Sequence, residues 1–187
     1  MKNIALLAVA GLATAATAQG VTLSFDANAT EVTVGDTISW TVSASFTGFA
    51  DASAYYGGFV GTFDASDGGL GTSGNFANLM AGTGTAASAN GASVGDLNIF
   101  NAALLGSNDP ANPLAIFTFD VVAGSAGVLS YGATGTNTVF ADDGIFTLGE
   151  EFAGSSNSGS VNIVPVPAPG AAALLGLGGL VAMRRRR

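Results

Sequence analysis

Between residues 20 and 163 apolar and polar residues alternate with a period of two, the pattern of strands that bury one face. Val21, Leu23 and Phe25 alternate with Thr22 and Ser24; Ile38, Trp40, Val42 and Ala44 alternate with Thr37, Ser39, Thr41 and Ser43. Ile116 to Val122 is a more continuous apolar run. Further strands are predicted over Glu31 to Val34, Gly58 to Phe63, Val128 to Gly132 and Val161 to Val164. Gly, Asp and Asn fill the gaps, as in Gly35-Asp36, Asp67-Gly68-Gly69, Asn108-Asp109-Pro110 and Asp143-Gly144. Many short strands at hairpin spacing predict an all-β fold, an antiparallel β-sandwich. Two stretches break the pattern. Ala77 to Ala92, small and polar, predicts a long loop, and residues 96–105 a short helix. Phe-Asp recurs at 25–26, 63–64 and 119–120, but at unequal spacings, which argues against a solenoid.

The two ends are different in kind. Lys2, the apolar run Ile4 to Leu12 and the small residues Ala16-Thr17-Ala18 have the order of a signal peptide, cut by signal peptidase between Ala18 and Gln19. At the other end a polar stretch, Ser155 to Gly159, is expected to be flexible. After Val164 come Pro165, Pro167 and Pro169, then uncharged Gly170 to Met183, then Arg184, Arg185, Arg186 and Arg187. As a helix, Gly170 to Met183 would reach about 21 Å, short of the roughly 30 Å hydrocarbon layer. The arginines would hold to the cytoplasmic side and stop transfer. A short span beside a proline break suits a temporary anchor. The expected organisation is therefore 1–18 signal peptide, 19–163 acidic β-sandwich and 164–187 sorting tail.

Pro167-Ala168-Pro169, the apolar stretch and the arginine block together resemble the PEP-CTERM sorting signal of Gram-negative bacteria. That resemblance implies processing by an exosortase-like enzyme and delivery to the cell surface or extracellular matrix. Ala168 stands where the family has Glu, and a plain C-terminal anchor is the alternative reading. Either way the expectation is an exported protein, tethered at first in the inner membrane.

Charge sharpens the picture. All five basic residues, Lys2 and Arg184 to Arg187, lie outside residues 19–163; all 13 acidic residues lie within, and the chain has no His. The middle domain thus carries a formal charge of −13 with no cationic side chain. That excludes nucleic-acid binding through phosphate neutralisation, and suits an exported protein displayed densely. The absence of Cys excludes disulfides and thiolate chemistry. The mean hydropathy of +0.48 reflects the two apolar ends, not a multi-span protein.

Little chemistry is left. Triads lack a His or Lys base, so the enzymatic alternative is a glycoside hydrolase built on two carboxylates. Calcium is the one ion suited to these ligands, with Asp64, Asp67, Asp142 and Asp143 as candidates and Glu150 and Glu151 nearby; turn formation explains such acids equally well. Among aromatics, Trp40 shares its face with Ile38 and Val42 and belongs to the core. Tyr55-Tyr56 is the better stacking platform for sugar, since adjacent strand residues point to opposite faces.

The middle domain also resembles cohesin-like domains. Val32-Thr33-Val34-Gly35-Asp36-Thr37 followed by Trp40-Thr41-Val42 is similar to their opening, with a Gly-Asp turn joining two early strands. Gly61-Thr62-Phe63-Asp64 and Ala115 to Val121 resemble later strands, although Asp64 precedes Ala65 rather than Pro. The resemblance implies a jelly-roll-like sandwich. The leading expectation is a non-catalytic surface protein acting by display and interaction; the alternative is a module that binds an extracellular polysaccharide or protein.

Overall fold

The computed structural model describes residues 19–49, 54–80, 84–100, 111–142, 147–167 and 170. They form strands β1 (Gly20–Ala27), β2 (Glu31–Thr33), β3 (Thr37–Thr47), β4 (Tyr55–Ala65), β5 (Gly71–Asn78), β6 (Gly84–Asn90), β7 (Ser93–Phe100), β8 (Leu114–Ala123), β9 (Gly127–Leu129), β10 (Tyr131–Asp142), β11 (Thr147–Ala153), β12 (Ser155–Ser158) and β13 (Val161–Val164). One five-stranded sheet has the order β12-β1-β3-β8-β5, and the facing one β11-β10-β4-β7-β6. A small sheet, β2-β13-β9, closes one end. The fold class is the predicted one, an antiparallel sandwich with β12 and β13 as parallel exceptions.

The alternation read from the sequence is the alternation of burial. In β1, Val21, Leu23 and Phe25 are buried; in β3, Ile38, Trp40, Val42 and Ala44 are fully enclosed. The recurring Phe-Asp pair is one turn of that pleat, with Phe25, Phe63 and Phe119 inside and Asp64 and Asp26 exposed. Phe63 meets Phe25 edge-on at 5.0 Å and stacks on Phe59 at 5.2 Å, while Tyr131 meets Trp40 at 4.9 Å and Phe119 at 5.1 Å. Each such buried ring contributes about 1.5–3 kcal/mol relative to exposure. The Gly35-Asp36 turn joins β2 to β3, with the Asp36 carboxylate accepting from the Thr33 amide at 2.8 Å.

Three expectations need correction. Ala77 to Ala92 is not one long loop, because Gly84–Asn90 is an edge strand. Its side chains are too small to show a hydrophobic period, and the signal lay in Asn90-Gly91, a hairpin dipeptide that pairs Asn90 with Ser93. Residues 96–100 belong to β7, not to a helix; residues 101–105 lie outside the described residues. Asp96 sits at a positive φ of 50°, close to an irregularity in the β6–β7 register. It places buried Val94 and Leu97 three residues apart, which mimics helical spacing. Finally, Ser158 ends an ordered strand: β12 pairs with β1, Thr22 and Ser155 share a hydroxyl hydrogen bond of 2.8 Å, and the Tyr131 amide donates to the Ser158 hydroxyl at 3.0 Å. Its exposed polar side chains hide a strand held by its backbone.

Register defines two poles. Ala27, Thr37, Ala65, Ala123 and Tyr131 lie towards one, where the Val34 amide donates to the Val164 carbonyl and the chain leaves the sandwich. Gly20, Thr47, Tyr55, Phe100, Leu114 and Phe140 lie towards the other.

Candidate protein-docking face

On the outer face of β10-β4-β7 an apolar depression meets fixed polar groups. Its construction starts with Gly57-Gly58 in the middle of a strand. A side chain on Gly58 would strike the backbone of Ile99 and Phe100, and one on Gly57 would strike the ring of Phe140. The strand is therefore bare there, between Thr138 on one neighbour and Phe100 on the other, which Gly58 pairs with directly. The result is a depression of ≈ 210 Å³ lined by Gly57, Gly58, Phe59, Val60, Ile99, Phe100, Thr138 and Phe140. Val60 is 56% and Phe100 42% exposed, unusual for apolar side chains on a sheet whose opposite face supplies the core.

Along the same face β4 turns polar. Val60 is flanked by Thr136 and Asn98 in register. Further on, the Asp64 carboxylate accepts from the Thr62 hydroxyl at 2.9 Å and the Thr134 hydroxyl at 2.7 Å. The Ser88 hydroxyl donates to Asp96 at 2.7 Å. These carboxylates are oriented by neutral donors, which leaves acceptor lone pairs for a donor from outside. From Gly58 to Asp64 the strand runs about 20 Å.

The sequence candidates fall elsewhere or apart. Asp64 lies on this face. Asp67 instead accepts from the Gly69 amide at 2.8 Å and caps the short 3₁₀ turn Gly68–Leu70. Asp142 ends β10, ten residues past the partner of Asp64, so about 33 Å of strand separates them. Asp143 lies outside the described residues. Among the described residues no group of three or more acidic side chains gathers as for a metal. Gln19 and Pro167 are exposed at the two limits of the fold; Ala18, Ala168, Pro169 and Arg184 to Arg187 lie outside the described residues. No described helix is long and apolar enough to cross a membrane.

The tyrosine pair is no platform. Tyr56 turns into the core and donates to the Asn137 amide oxygen at 2.6 Å, and burial pushes its phenol pKa upward. Tyr55 is 5% exposed and stacks on Phe140 at 5.3 Å. The bulge between Thr138 and Val139 lets both neighbours bury, which simple alternation does not allow. Trp40 is core, as its neighbours suggested. Sequence reading missed Phe100, Phe140 and Val60; the available signal was the Gly-Gly interruption inside an aromatic strand.

No family model and no curated protein matches this chain. Solved structures do. A cohesin module from a Clostridium perfringens family 33 glycoside hydrolase superposes with a TM-score of 0.54 at 13% identity, over 80% of this chain and 100% of that one. The seventh ScaB type I cohesin of Pseudobacteroides cellulosolvens gives 0.53 at 15%, over 80% and 96%. The fold is that of a cohesin module. A third cohesin, the sixth of Acetivibrio cellulolyticus scaffoldin B, was solved in complex with a Cel5 dockerin; it gives 0.52 at 14%, over 78% and 99%. At these identities the likeness concerns the fold alone.

Proposed function

We propose that this chain is a non-catalytic, cohesin-type protein-binding module that is exported, tethered at first by its tail and then attached at the cell surface through its processed C-terminal end. The observation that carries the binding reading is the apolar depression at Gly57-Gly58 on the outer face of β10-β4-β7. The cohesin fold supports it, since one structural neighbour was captured with a protein partner. A protein ligand is favoured over a polysaccharide because Tyr55, Tyr56 and Trp40 are enclosed, leaving Phe100 as the exposed ring on this face. Residues 19–163 contain no Lys, Arg or His. The partner therefore supplies the cations: an apolar side chain for the depression, and Lys or Arg towards Asp64 and Asp96.

The test is affinity capture from the organism's own secreted proteins on immobilised wild type and on Val60→Arg/Phe100→Arg. A specific partner should bind the wild type, lose at least about tenfold in affinity on the double variant, and weaken as salt is raised. A partner held equally by both would move the site elsewhere, and binding only to glycans would replace the reading.

Export has its own test. The mass of protein recovered from the native surface or medium is expected to begin at Gln19 and to end near Pro165 to Pro169, after removal by signal peptidase and an exosortase-like enzyme. A mass that retains Arg184 to Arg187 would make the tail a plain anchor.

A further inference from the structure

We infer that the depression is presented away from the surface that holds the protein, so its partner arrives in trans. This rests on the reading of the C-terminal end as the point of attachment, before and after processing of the tail; the polarity of the fold itself is structural.

The argument follows strand register. β13 is the last strand, and its end is fixed twice: Val164 pairs with Thr33, and its carbonyl accepts from the Val34 amide at 3.0 Å. The next amide, Gly35, donates to Ala123 at 2.8 Å, tying this corner to the end of β8. β9 lies against the other side of β13, and Ser66, just beyond β4, donates its hydroxyl to the Val128 carbonyl at 3.1 Å. The chain therefore departs beside the Ala65 end of β4. The depression lies at the opposite end of that strand, where Gly58 faces Phe100 and Tyr55 faces Phe140. From Gly58 to Ala65 is about 23 Å of strand, most of a small domain's length.

Exposed apolar residues divide the same way. Val128 (60% exposed), Val166 (61%) and Val122 stand at the departure pole and Val60 and Phe100 at the depression, while Leu79 lies apart from both, just beyond β5 on the other sheet. A lipid surface reached through Val166 and the prolines would face Val128 and leave the depression turned outward. Membrane-embedded or same-membrane lipid ligands are thereby disfavoured for the groove. A segment of another protein, approaching from outside with the apolar and cationic side chains described above, fits it.

The chain has no Cys, so single labelling sites are available. Val128→Cys and Phe100→Cys in the chain from Gln19 to Arg187, each carrying a donor dye, would be reconstituted through the tail into phosphatidylcholine vesicles containing an acceptor-labelled lipid. Energy transfer at position 128 should be at least about twice that at position 100, given the strand length between them. Equal transfer, or stronger transfer at position 100, would overturn the inference. If the chain fails to stay with vesicles, the tail reading fails while the polarity remains testable. A version from Gln19 to Pro167 with a hexahistidine extension, held on nickel-chelating lipid, contains every strand of the fold and must give the same ranking. The reverse ranking there would sink the polarity itself.

Discussion

Gly61→Ala is expected to destabilise the domain by about 3–5 kcal/mol, a large part of the 5–15 kcal/mol typical of a single domain. Gly61 and Gly135 face each other across β4 and β10 at φ values of +158° and +156°. A Cβ on Gly61 would run into the Thr134 carbonyl oxygen and come within 2.7 Å of the Gly135 Cα; one on Gly135 would run into the Val60 carbonyl and come within 2.8 Å of the Gly61 Cα. The Phe59 ring lies 2.9 Å from both positions. Backbone contacts of this kind cannot be relieved by a rotamer change, and two central strands would have to separate. Gly135→Ala should behave alike. Gly74→Ala, with nothing within 4 Å, should stay within about 0.5 kcal/mol of wild type. Urea unfolding followed by tryptophan fluorescence reports on Trp40, which is fully buried. Equal midpoints for Gly61→Ala and Gly74→Ala would show that the pair relaxes without cost.

That glycine pair also shows where reading the sequence stops. The hydrophobic period located β1, β3, β4, β8 and β13, because each buries one face and a slip of one residue would expose the core set. Trp40 falls in the core for the same reason. The period failed where backbone rather than side chains decides. β6 and β12 are edge strands with small or polar side chains, and their hydrogen bonds have no hydrophobic signature. In β7, Asp96 breaks the spacing and turns a strand into an apparent helix. The candidate face was invisible as a face because it joins Phe140, Gly58 and Phe100 from three strands with distant sequence positions. What the sequence did contain was Gly57-Gly58, an interruption that marks either a kink or a bare patch. Only the register with Thr138 and Phe100 decides between them.

Acid should stabilise this domain, against the usual trend. Residues 19–163 hold 13 carboxylates and no basic side chain. Folding brings those charges together, and neutralising them in acid removes a repulsion that weighs more on the compact state than on the expanded chain. Ordinary domains lose carboxylate–cation pairs in acid and then accumulate positive charge; here neither can happen. Asp120 works in the opposite direction. The Ser39 hydroxyl at 2.7 Å, then the Asn75 amide at 2.9 Å, hold its carboxyl below the ordinary value against a small desolvation effect. Its contribution is complete above the unfolded-state value and is lost as pH falls through the lowered folded value, so it offsets the gain only at the acid end. Because the group is only partly buried and solvent-screened, the collective relief should dominate. From pH 7 to pH 4 the fragment of residues 19–164 should gain about 1–3 kcal/mol, a melting rise of roughly 3–10 °C. Molar sodium chloride at pH 7 should give a similar rise, and salt at pH 4 much less, since screening and protonation remove the same repulsion. Calorimetry at two pH values and two salt concentrations checks this. Stability that falls steadily from pH 7 to pH 4 at low salt would mean that local hydrogen bonds such as those at Asp120 outweigh the repulsion. A rise produced by millimolar calcium but not by matched sodium would instead point to a specific ion, which the scattered positions of Asp64, Asp67 and Asp142 do not provide.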